Sequence, residues 1–299
     1  MNLPLIQRPL VKYRGRFAPS PSGLLHFGSL ITAVASYLHA KANNGSWLVR
    51  IEDIDPPREQ QGASAAILAT LEAYGLYWDE TELYQSNQSA LYQEVLSYLK
   101  QQNLSYHCLC TRAQIKALGG IYQGHCRTLN NDVKGAAIRL INHHGIDNYQ
   151  DIIQGNVQCD SALAQEDFTL FRKDGLFAYQ LAVVVDDIYQ GISHVIRGCD
   201  LLEPTARQLS FFKTLSFTPP QYGHVPLAVT DQGYKLSKQN KAPAIDTKQP
   251  HASLIAALAF LGQKPDPALN GCSIDEIIEW AKLNWQTTLV PQTQQIMLS

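Results

Sequence analysis

Residues 13–42 read YRGRFAPSPSGLLHFGSLITAVASYLHAKA. YRGRFAP has the pattern of a short strand, and Ser29 to Ala42 shows helical periodicity. The link between them holds Pro19, Pro21, Gly23, His26 and Gly28. A strand that turns this sharply into a helix leaves the helix's first N–H groups unpaired and pointing outward. Those groups and the helix dipole favour an anion such as phosphate. Gly23 and Gly28 allow a ligand close to the backbone, and His26 offers a donor beside its oxygens.

The same rhythm continues downstream. GSWLVRIEDI reads as a strand running into acidic residues, PPREQQGASAAILATLEAYGL as a helix opened by its prolines, and SALYQEVLSYLKQQN as another helix. Strand, helix, strand, helix predicts a parallel α/β sheet. The rhythm breaks near Tyr106, where a cysteine-bearing, glycine-rich stretch leads into short strands joined by turns. It returns at FAYQLAVVVDDIYQGISHVIRG, and the chain closes with two short amphipathic helices. The predicted organisation is one α/β domain in two halves (1–105 and 175–240), a β-rich insertion (106–174) and a short helical C-terminal region (241–299). The adjacent Asp186 and Asp187 are placed on a strand, on opposite faces, and so outside any shared site.

Composition narrows the setting. Hydrophobic residues make up 45% and charged residues 17% of the 299, the balance of a soluble globular protein. No apolar run reaches the ~18 residues of a membrane span, and the N-terminus lacks a signal-peptide core. A cytoplasmic protein with no membrane partner is expected. With a net charge of −2, any polyanion must be met by a local basic surface. Nothing in the sequence demands more than a monomer.

Two further stretches carry chemistry. KLSKQN (235–240) follows an apolar strand; Lys235 and Lys238 flank Ser237 and can surround a polyphosphate if the loop closes on it. Six cysteines are too few and too scattered for a disulfide framework. Cys108, Cys110 and Cys126 cluster, and three thiolates suit Zn²⁺ in a closed structural site. His107, Tyr122 and His125 are candidates for a fourth ligand, and ligand chemistry prefers a histidine.

RFAPSPSGLLHFGS, IEDIDPPRE, VVVDDIYQGISHVIRGCDLL and KLSK, in this order, resemble the glutamyl-tRNA synthetase family of class I aminoacyl-tRNA synthetases, with HFGS and KLSK standing for its two signatures. The resemblance covers most of Arg16 to Lys238. It implies a Rossmann-like catalytic domain of the class I synthetase (HUP) type. Two departures matter. Only about sixty residues follow Lys238, too few for the family's long helical anticodon-binding region, and the loop reads KLSKQN where glutamyl enzymes usually have KLSKR. Both resemble a truncated branch of the family. That branch activates L-glutamate with ATP without needing tRNA, then esterifies it onto the cyclopentenediol of queuosine in the anticodon stem-loop of tRNA(Asp). A minimal synthetase for tRNA(Glu), a nucleotidyltransferase for a small acid and a non-catalytic tRNA-binding module are the competing readings.

The resemblance also implies roles. His26, Gly28, Ser29, Lys235 and Lys238 serve ATP, which arrives with Mg²⁺. Arg16 and Arg197 hold the glutamate γ-carboxylate, with Tyr179 donating a hydroxyl. Glu52 takes the α-ammonium, and Ser20, within the Arg16-Phe17-Ala18-Pro19-Ser20 turn, adds a hydrogen bond. A pair of arginines left without its anion disfavours glutamine. The branch's Cys-x-Cys and Tyr-x₃-Cys pattern falls on Cys108, Cys110, Tyr122 and Cys126, which makes Tyr122 the fourth ligand of one structural Zn²⁺.

Overall fold

The strand–turn–helix of residues 14–42 is the seed of the observed architecture. The structure is a computed structural model that describes residues 3, 5, 12–117, 119–129, 134–230, 236 and 243–298. In the first half, β1 (Arg14–Phe17), α1 (Phe27–Ala42), β2 (Ser46–Ile51), α2 (Ala63–Ala73), β3 (Leu83–Tyr84) and α3 (Ser89–Gln101) follow one another. The three strands are parallel, in the order β1–β2–β3, with Arg16 opposite Leu48. The helix expected to open at the prolines begins later. Pro56–Arg58 forms a single 3-10 turn, and Gly62, at φ 77°, redirects the chain into α2 where the apolar periodicity begins.

The insertion contains β4 (Ser105–Cys108), α4 (Arg112–Ala117), β5 (Ala137–Leu140), β6 (Asn148–Asp151), β7 (Gly155–Gln158), α5 (Ser161–Gln165) and β8 (Thr169–Phe171). It is rich in strands, as its turn residues predict: an antiparallel β4–β5–β8 sheet and a β6–β7 hairpin. The second half supplies α6 (Tyr179–Gln190), β9 (His194–Gly198), α7 (Leu202–Thr214), β10 (Gln221–Val225) and β11 (Leu227–Val229). β9 and β10 pair in parallel. The Ser193 N–H donates to the Arg14 carbonyl at 2.9 Å, so this sheet lies edge to edge with the first.

The chain ends in α8 (Pro250–Phe260), α9 (Ile274–Asn284) and β12 (Gln295–Met297), and β12 pairs in parallel with β11. Burial explains why α1 is apolar nearly all round. Leu30, Ile31, Val34 and Leu38 share one core with Val49 and Ile51 of the sheet and with Leu254, Leu258, Ile277 and Ile278 of α8 and α9. The helix is covered on both sides and has no solvent face to make polar. A second core joins α3, α6 and α7 through Val95, Leu99, Leu181, Val185 and Phe211. Among the described residues no helix is long and apolar enough to cross a membrane.

One polar cluster interrupts the α1 core. The Tyr13 hydroxyl lies 2.7 Å from His39 Nδ1, and the Tyr13 ring stacks on His194 at 4.1 Å. Burial, with His194 nearby, pushes the His39 imidazole down to about 4. A base that stays neutral when folded binds its proton more readily when unfolded, so this group stabilises the fold above its ordinary pKa of 6.5 and opposes it as the pH falls. Urea unfolding of the wild type should therefore lose up to about 1.4 kcal/mol per pH unit from this group between 6.5 and 4, and His39→Gln should flatten that part of the profile. An equally steep fall in the variant contradicts the assignment.

Candidate active site

A cavity of about 680 Å³ opens beyond the carboxyl ends of β1, β2, β9 and β10, between the two halves of the parallel layer. The chain runs outward from β1 to β3 and returns on the other side of β1 through β9, so the cavity lies where the winding reverses. Ligands of open α/β sheets bind at such a point. Phe17, Ala18, Pro19 and Ser20 enter from the end of β1, Glu52 from β2, Tyr179 from the start of α6, and Arg197 and Gly198 from β9.

His26, which lines the cavity, caps α1. Its Nδ1 accepts the Ser29 N–H at 3.3 Å, which leaves Nε2 to carry the proton of the neutral ring. The Ser29 amide is thus shared with the imidazole, while those of Phe27 and Gly28 precede the first helical bond, Leu30 N–H to His26 O at 3.0 Å. Gly28 leaves little room for a side chain. A Cβ there would stand 3.2 Å from the His26 ring and 3.3 Å from the Leu236 carbonyl. Lys235, Ser237 and Lys238 lie outside the described residues, but Leu236 lines this cavity with its N–H bonded to Ala228 O at 3.0 Å. Leu236, more than two hundred residues from His26 in sequence, therefore lines the same cavity as His26.

Arg16 and Arg197 line the same cavity. Arg16 Nε and Nη2 donate to the two oxygens of Asp187, at 3.2 and 3.3 Å. Arg197 is held from several sides: its Nε donates to His224 Nε2 at 3.1 Å, its Nη2 to Thr205 Oγ1 and Gln208 Oε1 at 2.6 and 2.7 Å, and its Nη1 lies 3.5 Å from the Tyr179 hydroxyl. Its guanidinium also lies over the Tyr222 ring, 4.8 Å from the centroid. The half-buried Glu52 lines the same space, and burial pushes its carboxyl up to about 7 despite Arg50 and Arg16.

The placement of Asp186 and Asp187 corrects the sequence reading. They lie on helix α6, both buried, and both reach the fully buried Arg50 of β2. Neighbouring residues on a helix are about 100° apart, so the two carboxylates can address one guanidinium from different directions. Burial pushes Asp186 up to about 6, with Gln85 and Tyr92 hydrogen-bonded to it. Burial opposes the charge on Asp187 too, but Arg16 and Arg50 outweigh it and hold its carboxyl below the usual range. Sequence reasoning passed over Arg50, Asp151 and His224. A signal existed for Arg50: a lone arginine in the apolar WLVRI requires a buried anion, and the acid pair after AVVV is an obvious source.

The insertion gathers the expected thiols. The sulfurs of Cys108, Cys110 and Cys126 lie within 4.8 Å of one another, so the cluster could hold a metal ion. Neither His107 nor His125 joins that group, against the histidine preference of ligand chemistry alone. The Tyr122 hydroxyl accepts the Cys126 N–H at 2.7 Å, and the Arg139 guanidinium covers its ring at 3.8 Å. Burial opposes ionisation of Cys126, but hydrogen bonds from the Leu109 backbone and from Tyr122, Cys110 and Cys108 outweigh it and bring the thiol down to about 7. Three sulfur donors this close together fit a soft divalent cation. A smaller recess of about 160 Å³ runs from Ser20, Glu52 and Tyr179 to Arg172 and Phe177 at the base of the insertion.

Residues 12–298 match the family described as tRNA synthetases class I (E and Q), catalytic domain. A Colwellia psychrerythraea protein named glutamyl-Q tRNA(Asp) synthetase is 64% identical over 304 residues, which span 98% of this chain and 96% of that one. A Salmonella typhimurium protein of the same name is 52% identical over 284 residues, 95% of each chain. Among solved structures, a glutamate tRNA ligase from Elizabethkingia meningosepticum, in complex with its amino acid, superposes with a TM-score of 0.78 at 25% identity, covering 96% of this chain and 67% of that one. The glutamate-tRNA synthetase of Elizabethkingia anophelis gives a TM-score of 0.78 at 26% identity, with 96% and 68% covered.

The cysteine cluster makes a direct prediction. Elemental analysis of the purified protein should find about one equivalent of a divalent metal per chain, lost in Cys108→Ser together with protease resistance of the insertion. Unchanged metal content in the variant contradicts the cluster as its holder.

Proposed function

Because the chain belongs to the class I tRNA synthetase (E and Q) family, we propose that it activates L-glutamate with ATP in the absence of tRNA and transfers it to the cyclopentenediol of queuosine in the anticodon of tRNA(Asp). The observation that carries this reading is the single cavity lined by His26 and Leu236 and also by Arg16, Arg197, Tyr179 and Glu52. It has room and chemistry for a nucleotide and a dicarboxylic amino acid side by side.

In the first step an α-carboxylate oxygen of glutamate attacks the α-phosphorus of ATP, and the bond to the bridging oxygen breaks to release pyrophosphate. The protein's part is positioning and charge stabilisation. The His26 Nε2–H and the amides of Phe27 and Gly28 face the phosphate oxygens, with Ser29 behind them. Lys238, with Lys235, meets the leaving pyrophosphate; this role rests on the family resemblance. Mg²⁺ arrives with ATP. Arg16 and Arg197 hold the γ-carboxylate, Tyr179 and Ser20 add hydrogen bonds, and Glu52 pairs with the α-ammonium. Glutamine offers the arginine pair no anion and is disfavoured. In the second step a ring hydroxyl of queuosine attacks the glutamyl carbonyl, loses its proton, and AMP leaves.

The RNA approaches from the recess beside Glu52 and Tyr179, where Arg58 and Arg172 lie at the rim. Cys108, Cys110, Cys126 and Tyr122 would hold one Zn²⁺, which would brace the insertion. In this reading the monomer is the acting unit, and it works in the cytoplasm.

Labelled glutamate and ATP incubated with tRNA(Asp) should charge the RNA only when queuosine is present, and glutamate-dependent ATP–pyrophosphate exchange should proceed with no RNA. Charging of tRNA(Glu), or exchange that requires RNA, contradicts the proposal. A second expectation follows from Glu52. Its carboxyl titrates at about 7, and only the carboxylate holds an ammonium, so affinity is lost as the pH falls. The KM for glutamate should rise about tenfold from pH 8 to pH 6. Glu52→Gln should raise KM at pH 8 and flatten this dependence. A wild-type KM unchanged between pH 8 and 6 contradicts the role.

A further inference from the structure

Arg197 reaches the cavity at the end of a buried chain that begins in the insertion. Asp151, the last residue of β6, accepts from His224 Nδ1 through Oδ2 at 2.6 Å, and both side chains are fully buried. Asp151 Oδ1 separately accepts the N–H groups of Ile153, Gln154 and His224, at 2.9, 2.8 and 3.1 Å. An ionised carboxylate only accepts, so His224 carries its proton on Nδ1 and presents a bare Nε2. That Nε2 accepts the Arg197 Nε–H at 3.1 Å; it also lies 3.2 Å from Thr205 Oγ1, whose own hydroxyl donates to the Leu201 carbonyl at 2.7 Å. Each link dictates the polarity of the next.

We propose that Asp151 and His224 are positioning residues for Arg197: the carboxylate fixes the imidazole tautomer, and the tautomer presents the acceptor that aims the guanidinium into the cavity. This rests on the reading of Arg197 as a holder of the substrate γ-carboxylate. It adds a role for the insertion. The β6–β7 hairpin, whose Ile152 N–H also bonds Tyr222 O at 2.8 Å, reaches under the amino-acid end of the site and braces its specificity-determining cation. Substrate specificity is then set partly by a residue that never touches substrate. The logic is that of a carboxylate orienting a histidine in a hydrolase triad, turned here to an arginine.

Asp151→Asn is a selective probe. Asparagine keeps Oδ1 for the three backbone N–H groups but replaces Oδ2 with a donor. His224 must then accept on Nδ1, its proton moves to Nε2, and a donor faces the donor on Arg197. The readout is glutamate-dependent ATP–pyrophosphate exchange. Asp151→Asn and His224→Leu should each raise the KM for glutamate about tenfold or more, the scale of a lost hydrogen bond to a charged group, with kcat and the KM for ATP within about twofold. His224→Gln, whose amide can donate to Asp151 and accept from Arg197, should restore KM to within about threefold of wild type. In combination with Arg197→Lys, Asp151→Asn should add little to the cost of Arg197→Lys alone. If Arg197→Lys raises KM but Asp151→Asn and His224→Leu do not, or if the costs simply add, the positioning role is wrong and the Arg197 assignment stands. If Arg197→Lys leaves KM unchanged, the assignment of Arg197 fails and the positioning role fails with it. Poor folding of His224→Leu leaves the Asp151→Asn and His224→Gln measurements to decide.

Discussion

A carboxylate held between two guanidiniums is the constraint on which the rest of this structure leans. Asp187 of α6 bonds both Arg16 of β1 and Arg50 of β2, all three almost fully withdrawn from water. A buried charge of this kind is tolerated only when it is paired. Removing one partner typically costs about 3–5 kcal/mol, because the other is left stranded. The helix that opens the second half of the α/β layer is therefore fixed in angle and depth against the strands that open the first. The cavity between the halves inherits its shape from that bond, and Arg16 inherits its direction.

The same economy of charge explains how a small cavity can hold three arginines' worth of influence without collapsing onto its own acids. Arg50 is committed to Asp186 and Asp187 and stays in the core. Arg197 is anchored by neutral acceptors and by the Asp151–His224 pair. Glu52, pushed toward neutrality by burial, has no direct ion pair among the described residues and gains most from an incoming ammonium. On the proposed reading these side chains are held by the fold itself, so little of the binding energy is spent on ordering them.

Much of this was legible in the sequence. The apolar run after HFGS predicts α1 because its periodicity is strong and its start is marked. KLSK points to a polyphosphate partner, and Leu236 lining the His26 cavity is consistent with that reading. The thiol cluster was legible from spacing. What escaped were features set by distant partners. Asp186 and Asp187 read as a strand pair because VVV favours strands locally, whereas tertiary packing against Val95, Leu99 and Phe211 makes the segment a helix. The late start of α2 escaped because prolines suit a helix opening, yet a left-handed Gly62 decides where it begins. Asp151 and His224 gave no local signal: each is an ordinary polar residue until the insertion folds back beneath β10.

The claim that binds these points together is that one cavity holds the acid and the nucleotide at once. A crystal structure with a non-hydrolysable glutamyl-adenylate analogue tests it most directly. The account predicts the side-chain carboxylate between Arg16 and Arg197, the ammonium at Glu52, and the phosphate at the amino end of α1 beside His26. An analogue bound elsewhere, or bound with its adenylate at the arginines, contradicts it.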